Sequence, residues 1–201
     1  MTRPECRYKP TLQNIGRVPG LPGNWMKVIG LSGWSGAGKT TLLSRVIPCL
    51  LGRGLRVSVI KHAHHDFDVD VPGKDSWVHR QAGATEVLVG SARRWALMHE
   101  LRDADEPRLP ELLAKMSPVD LVVVEGFKRE PIRKIEVHRR ANAKPLLFPD
   151  DPDIVGVVTD ADDLDSRLPI VHLDDIEAAA DLMQRSAMPF EGATAPAAAG
   201  V

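Results

Sequence analysis

Short apolar runs recur along the middle of the chain, and stretches of helical periodicity separate them. The clearest runs cover residues 27–31, 56–61, 120–124, 134–138 and 154–159. They are continuous rather than alternating, which is typical of strands buried on both faces of a parallel sheet. Because such strands alternate with helices, the pattern predicts an α/β fold with a mostly parallel sheet flanked by helices.

Helices and weaker strands fill the intervals. Helical periodicity predicts helices over residues 41–51, 76–82, 107–116 and 174–185. Asp174 is the predicted N-cap of the last helix, because an aspartate side chain can accept from its free N–H groups. Weaker apolar runs predict shorter strands over residues 84–89, 95–98 and 170–173.

The two ends of the chain lack this pattern. Residues 1–25 contain four prolines and three glycines without apolar periodicity, and residues 187–201 are rich in alanine. We therefore predict a disordered leader over residues 1–25, one folded domain over 26–186 and a disordered tail over 187–201.

Composition narrows the class of protein. The 201 residues are 43% hydrophobic, which is enough for one sizeable core. The net charge is −1 without long blocks of one sign, so we expect no nucleic-acid partner. Apolar runs of about five residues fall far short of the roughly 20 that span a bilayer, so no membrane contact is expected. Two cysteines do not make a disulfide framework, and the expected location is cytoplasmic.

The strongest chemical signal is the glycine-rich stretch after the first predicted strand. It reads GWSGAGKT and fits the phosphate-loop pattern G-x-x-x-x-G-K-[ST] between a strand and a helix. Glycines let successive backbone N–H groups turn toward phosphate oxygens, and the helix N-terminus adds partial positive charge. Lys39 would reach the β- and γ-phosphates, and the Thr40 hydroxyl would bind Mg²⁺. The predicted nucleotide-binding residues are Gly33, Trp34, Ser35, Gly36, Ala37, Gly38, Lys39 and Thr40.

An acidic residue follows the most apolar run. The sequence DLVVVEG places Glu125 just past the end of the predicted central strand. In phosphate-loop folds an acidic residue in this position holds Mg²⁺ directly or through water. We therefore predict Glu125 as a magnesium ligand.

Three histidines and three aspartates are concentrated after the second predicted strand, in KHAHHDFDVD. Ligands bind outside the carboxyl ends of parallel strands, so the position is favourable. Asp66 or Asp68 could hold Mg²⁺ or sense the nucleotide, His62, His64 and His65 could bind a transition metal, or the segment could be a solvated loop.

Thr159-Asp160 ends another apolar run. A carboxylate there could accept from the N1–H and the 2-amino group of guanine, which adenine lacks. The alternative is that Asp160 caps a helix beginning near Asp162.

Together these motifs resemble one family. GWSGAGKTTL, IKHAHHDFDVD, PGKDS, RWALM and DLVVVEGFK occur in the order and spacing of molybdopterin-guanine dinucleotide biosynthesis protein B, over roughly residues 26–185. The resemblance implies a P-loop GTP-binding protein with weak GTPase activity and GTP and Mg²⁺ as ligands. It implies a homodimer that assists a molybdenum cofactor guanylyltransferase in joining GMP to molybdopterin, with molybdopterin itself a possible ligand.

The family's functional residues carry over by position. Lys39, Thr40 and Thr41 would bind phosphate and Mg²⁺ together with the loop glycines. Asp66 and Glu125 would lie in the magnesium and γ-phosphate region, where they and Lys39 are the candidate catalytic residues. Thr159-Asp160 would lie in the base-recognition region, although the common guanine signature N-K-x-D is not present there.

Two other functions share these motifs. A small-molecule kinase uses the same loop but needs arginines that close over the phosphates, and the arginine pairs are Arg93-Arg94 and Arg139-Arg140. A nucleotide-gated nickel or zinc chaperone would use His62, His64 and His65.

Overall fold

The computed structural model describes residues 25–63 and 67–191 of the chain. It divides into two compact units. Of the described residues, those up to His62 and those from Leu113 onward form one unit, and those from Ala63 to Leu112 form the other. That residues 26–186 form one functional domain stays a prediction. Among the described helices, none is long and apolar enough to cross a membrane.

The described residues form nine strands and four α-helices. The strands are β1 (Trp25–Ser32), β2 (Val57–Lys61), β3 (Glu86–Gly90), β4 (Trp95–His99), β5 (Leu121–Glu125), β6 (Lys134–His138), β7 (Ile154–Thr159), β8 (Ile170–His172) and β9 (Met188–Glu191). The helices are α1 (Lys39–Gly52), α2 (Asp75–Gln81), α3 (Leu109–Ala114) and α4 (Ile176–Ser186).

The first unit is built on a sheet with the order β2-β5-β1-β6-β7-β8. Every neighbouring pair in this order is parallel. The predicted fold class, a mostly parallel sheet flanked by helices, is confirmed. Because parallel strands end at one edge of a sheet, the residues after β1, β2, β5, β6 and β7 are brought together there.

The predicted boundary of the tail differs from the structure. Met188–Glu191, which the sequence assigned to a disordered tail, forms β9 and pairs antiparallel with Trp25–Val28 of β1. Further along β1, residues Gly30–Ser32 pair with β6 instead. Trp25, assigned to the leader, begins β1; the rest of the predicted leader, and residues 192–201, lie outside the described residues.

One face of the sheet forms the main core with α1 and α4. Leu42, Val46 and Leu50 repeat at helical spacing on α1 and are buried. They pack in one cluster with strand residues such as Ile29 and Val123. This packing fixes α1 directly behind the loop that follows β1, which is the loop that carries the phosphate-binding motif.

The cap of α4 is one residue later than predicted. Asp175 is the N-cap, and its side chain accepts a hydrogen bond from the N–H of Ala178. Asp174 instead pairs with Arg45 on α1 at 2.9 Å. Sequence alone could not separate two adjacent aspartates, because the choice depends on the position of Arg45.

The second unit contains α2 and a two-stranded antiparallel sheet of β3 and β4. Arg80 on α2 holds it together, since its guanidinium contacts carboxylate oxygens of Asp68, Asp70 and Glu100, each at 2.6 Å. These hydrogen bonds raise the pKa of Arg80, and Arg80 lowers the pKa of Asp70.

Candidate functional site

The loop between β1 and α1 has the geometry of a phosphate cradle. Gly33 lies so close to β6 that a Cβ would meet the Val137 carbonyl oxygen at 2.4 Å, so only glycine fits. Gly38, the N-cap of α1, has φ of 94° and offers no side-chain cap. Leu42 is the first residue whose N–H bonds within the helix, to the Gly38 carbonyl at 2.8 Å. The N–H groups that precede it are the donors that an anion binds at a helix N-terminus.

Lys39 extends back over this loop. Its Nζ donates to the carbonyl oxygens of Gly33 at 2.8 Å and Trp34 at 3.0 Å. Burial lowers the pKa of Lys39, the negative charge of Glu125 raises it, and the positive charges of Lys128 and Lys61 lower it further. A phosphate oxygen would compete well for this ammonium, because a charged acceptor binds it more strongly than a carbonyl does.

Oxygen donors suited to magnesium lie at the same edge of the sheet. Thr40 and Thr41 expose their hydroxyl-bearing side chains in the first turn of α1. Glu125 is the last residue of β5 rather than the residue after it, and it is buried beside Leu31 of β1. A carboxylate and a hydroxyl fit Mg²⁺, which prefers hard oxygen ligands and would supply positive charge to the phosphates.

The acidic and histidine-rich segment is only partly described. Asp66, His64 and His65 lie outside the described residues, so their predicted roles stay predictions. Asp68 pairs with Arg80. Among residues 25–63 and 67–191, no three histidine, cysteine or acidic side chains are grouped as a metal site would require.

The two residues of the predicted base-recognition region have different surroundings. Thr159 is buried, and its hydroxyl contacts the ring of His138 at 3.0 Å and accepts from the Ala161 N–H at 3.1 Å. Asp160 accepts from the Arg140 N–H at 2.7 Å. The alternative of a helix cap is wrong, because residues 161–169 form turns and no helix.

Several contacts join residues 139–145 to the phosphate loop. The Arg139 guanidinium lies 3.4 Å from where a Cβ on Gly38 would be, and 3.8 Å from the Asp160 carboxylate. The Asn142 side chain donates to the Ser35 carbonyl at 2.9 Å, and the Trp34 indole N–H donates to the Pro145 carbonyl at 2.8 Å. Asp160 is thereby connected to the loop through Arg139.

Buried Glu136 holds the far end of this segment. Its two carboxylate oxygens accept from the N–H groups of Leu147 at 2.8 Å and Phe148 at 2.9 Å. Burial raises the pKa of Glu136. Glu136 and Asn142 were not among the predicted site residues, and Arg139 was noted only as half of an arginine pair. The available signal was that Glu136 lies within the predicted strand 134–138 and that Arg139 and Asn142 follow it.

The other arginine pair is remote in sequence from these contacts. Arg93 and Arg94 occupy the turn between β3 and β4 in the second unit. Arg139 lies beside the phosphate loop, as a kinase would require. This position does not distinguish a kinase from another nucleotide-binding protein.

The parallel sheet, the uncapped loop before α1 and the acidic residue on the adjacent strand define a P-loop NTPase-type protein. The family model for molybdopterin guanine dinucleotide synthesis protein B matches residues 28–160. The chain belongs to this family, as its motifs suggested.

Individual relatives agree with this assignment. The molybdopterin-guanine dinucleotide biosynthesis adapter protein of Escherichia coli (strain K12) is 43% identical over 159 residues, which cover 78% of this chain and 90% of that protein. The protein of the same name from Haemophilus influenzae is 40% identical over 173 residues, covering 85% and 94%.

Solved structures share the fold. A crystal structure of molybdopterin-guanine biosynthesis protein B matches with a TM-score of 0.63 and 27% identity, over 79% of this chain and 98% of that chain. The crystal structure of Bacillus subtilis MobB matches with a TM-score of 0.62 and 25% identity, over 81% and 99%.

Proposed function

We propose that this protein binds GTP with Mg²⁺, hydrolyses it slowly, and acts as an adapter when GMP is attached to molybdopterin. The observation that carries nucleotide binding is the uncapped N-terminus of α1, with Lys39 folded over the loop before it. Backbone donors and an ammonium converge there without a side-chain acceptor, which is the arrangement that phosphate oxygens satisfy.

Hydrolysis in such a site is electrostatic. Fixed N–H groups and Lys39 would stabilise charge on the phosphoryl group as it transfers to water. Glu125, together with Asp66, would orient the magnesium side of the site. We expect slow turnover, as the family resemblance implies, until a partner supplies a group that stabilises the transition state.

The adapter role is supported by the names of the relatives from Escherichia coli and Haemophilus influenzae. We infer that the partner is a molybdenum cofactor guanylyltransferase in the cytoplasm, and that molybdopterin is a further candidate ligand. GTP bound here would then serve the guanylyltransferase either as a signal or as a source of nucleotide.

A homodimer is part of the same proposal. The second unit exposes a row of large apolar side chains on its two-stranded sheet, including Leu88 and Trp95. A contiguous exposed apolar patch of this kind commonly marks a surface that binds another protein chain.

Replacing Lys39 tests the proposed function. In Lys39→Ala we expect GTP affinity, measured by calorimetric titration with Mg²⁺, to fall at least about 100-fold, because a charge-assisted contact to two phosphates is lost. Stimulation of GMP transfer by the purified guanylyltransferase should fall with it. Lys27→Ala, on the exposed side of β1, is the matched control and should bind normally.

Two results would contradict the proposal. Unchanged GTP affinity in Lys39→Ala would remove the phosphate-loop interpretation. Normal GTP binding without any effect on GMP transfer would leave a nucleotide-binding protein whose adapter role is unsupported.

A further inference from the structure

Positive charge is concentrated where the strands of the first unit end. Lys61 is the last residue of β2 and is paired in register with Glu125, the last residue of β5. Lys128 follows Glu125 by three residues, and Lys39 follows β1 in the phosphate loop. Three ammonium groups and one buried carboxylate therefore occupy this edge of the sheet.

Lys128 and Lys39 both contact Trp34. The Lys128 Nζ lies 5.2 Å from the centroid of the Trp34 ring, while the Lys39 Nζ bonds the Trp34 carbonyl. The backbone also fixes Lys128, because its N–H donates to the Gly126 carbonyl at 2.8 Å in a tight turn directly after Glu125. Lys128 therefore lies beside the phosphate loop, on the side of the acidic strand.

Among the described residues, the negative charge of Glu125 offsets that of Lys39 only in part, because the pKa of Lys39 is still lowered. Within the described residues, no carboxylate lies within ion-pair distance of Lys39, Lys61 or Lys128. Lys128 and Lys61 both lower the pKa of Lys39, which shows that the like charges repel. A polyanion bound at this edge would relieve that repulsion.

We propose that Lys128 binds the terminal phosphate of a nucleoside triphosphate held by the phosphate loop, and so makes this site prefer triphosphate to diphosphate. This inference rests on the proposed nucleotide binding. The acidic strand lies on the side of the γ-phosphate in phosphate-loop proteins, and Lys128 is in the turn that leaves this strand. A contact with the face of the half-buried Trp34 indole is weaker than an ion pair, so the ammonium can exchange it for a phosphate oxygen.

Lys144 provides an internal comparison. Its Nζ lies 5.8 Å from the centroid of the same Trp34 ring, but it belongs to the segment after β6. Lys144 therefore shares the aromatic contact of Lys128 but not its place beside Glu125.

The experiment compares Lys128→Met with Lys144→Met. Wild type and both variants are titrated with GTP and GDP in the presence of Mg²⁺, and the ratio of the two dissociation constants is taken for each. We expect wild type to prefer GTP and Lys128→Met to lose about 10-fold or more of that preference, with GDP affinity nearly unchanged. Lys144→Met should keep the wild-type ratio, and Lys128→Arg should restore most of it.

Three other outcomes would contradict the inference. An unchanged ratio in Lys128→Met, with nucleotide binding intact in wild type, overturns this inference and leaves the proposed function standing. Equal losses in Lys128→Met and Lys144→Met assign the effect to the Trp34 ring and also overturn it. Wild type that binds neither nucleotide overturns the inference and the proposed function together. Thermal unfolding of each variant confirms that the exposed substitutions leave the fold intact.

Discussion

Asp160 shows how one side chain can be both structural and available to a ligand. One carboxylate oxygen accepts from the Arg140 N–H, and the other faces the Arg139 guanidinium at 3.8 Å. A carboxylate has about four acceptor positions, so these contacts leave capacity for the two donors of guanine. The residue also lies one side chain away from Gly38, because Arg139 contacts both.

We expect Asp160→Asn to change the choice of base. The amide can keep the bond from Arg140 but presents an NH₂ group where guanine also has donors, so GTP affinity should fall about 10–100-fold, or roughly 1.4–2.7 kcal/mol. Xanthosine triphosphate, with a carbonyl in place of the 2-amino group, should gain in relative affinity. Competition of GTP, ATP and XTP against a fluorescent GTP analogue measures both effects.

Asp163→Asn is the control for this substitution. Asp163 contacts the Arg140 guanidinium from an exposed position, so its loss should leave the order of the three nucleotides unchanged. Equal affinity of wild type for GTP and ATP would exclude guanine reading by Asp160. If wild type prefers GTP and Asp160→Asn shows the same preference, base recognition lies elsewhere in the protein.

The sequence predicted best those residues whose role follows from local spacing. Gly33, Lys39 and Thr40 form a contiguous motif, and backbone geometry there is set by neighbours in the chain. Arg139 and Asn142 could not be predicted in the same way. Their role depends on residues about a hundred positions earlier, which the order of strands brings to them.

At the scale of elements, β9 is the clearest case of tertiary structure overriding local sequence. Met188–Glu191 contains Pro189 and has no strand pattern of its own. It forms a strand because the first half of β1 would otherwise have an unpaired edge, and because Met188 and Phe190 are partly buried against their surroundings. The buried strands β5 and β7 were predictable from their composition alone, since each is a continuous apolar run.

Truncation tests the contribution of β9. A chain ending at Ala187 loses the strand, and its free energy of unfolding should fall by roughly 1.5–3 kcal/mol, because Met188 and Phe190 are only partly buried. A chain ending at Glu191 retains β9 and serves as the control. Urea unfolding followed by circular dichroism gives both values, and equal midpoints for the two truncations would show that β9 does not support β1.

At the scale of the whole molecule, the second unit requires a different explanation from the first. The first unit buries its sheet against α1 and α4, whereas the β3–β4 sheet has only two strands. A two-stranded sheet is marginally stable unless something covers it. Leu88 and Leu97 are paired across its strands and are 63% and 46% exposed. We propose that this exposed apolar sheet is the interface of the homodimer that the family resemblance implies.

We therefore expect the wild-type chain to have twice the mass of one 22.0 kDa protomer in solution, and the double variant Leu88→Gln/Leu97→Gln to be shifted toward the monomer. Losing two partly buried leucines from an interface should cost about 3 kcal/mol, or roughly a hundredfold in the dissociation constant. Sedimentation equilibrium measures this constant. Leu51→Gln, at an exposed leucine near the end of α1, is the matched control and should remain dimeric.

Because the substituted side chains are exposed in the protomer, circular dichroism should be unchanged, so a monomeric variant cannot be attributed to unfolding. A monomeric wild type would reject the dimer, and a double variant as dimeric as wild type would move the interface away from the β3–β4 sheet.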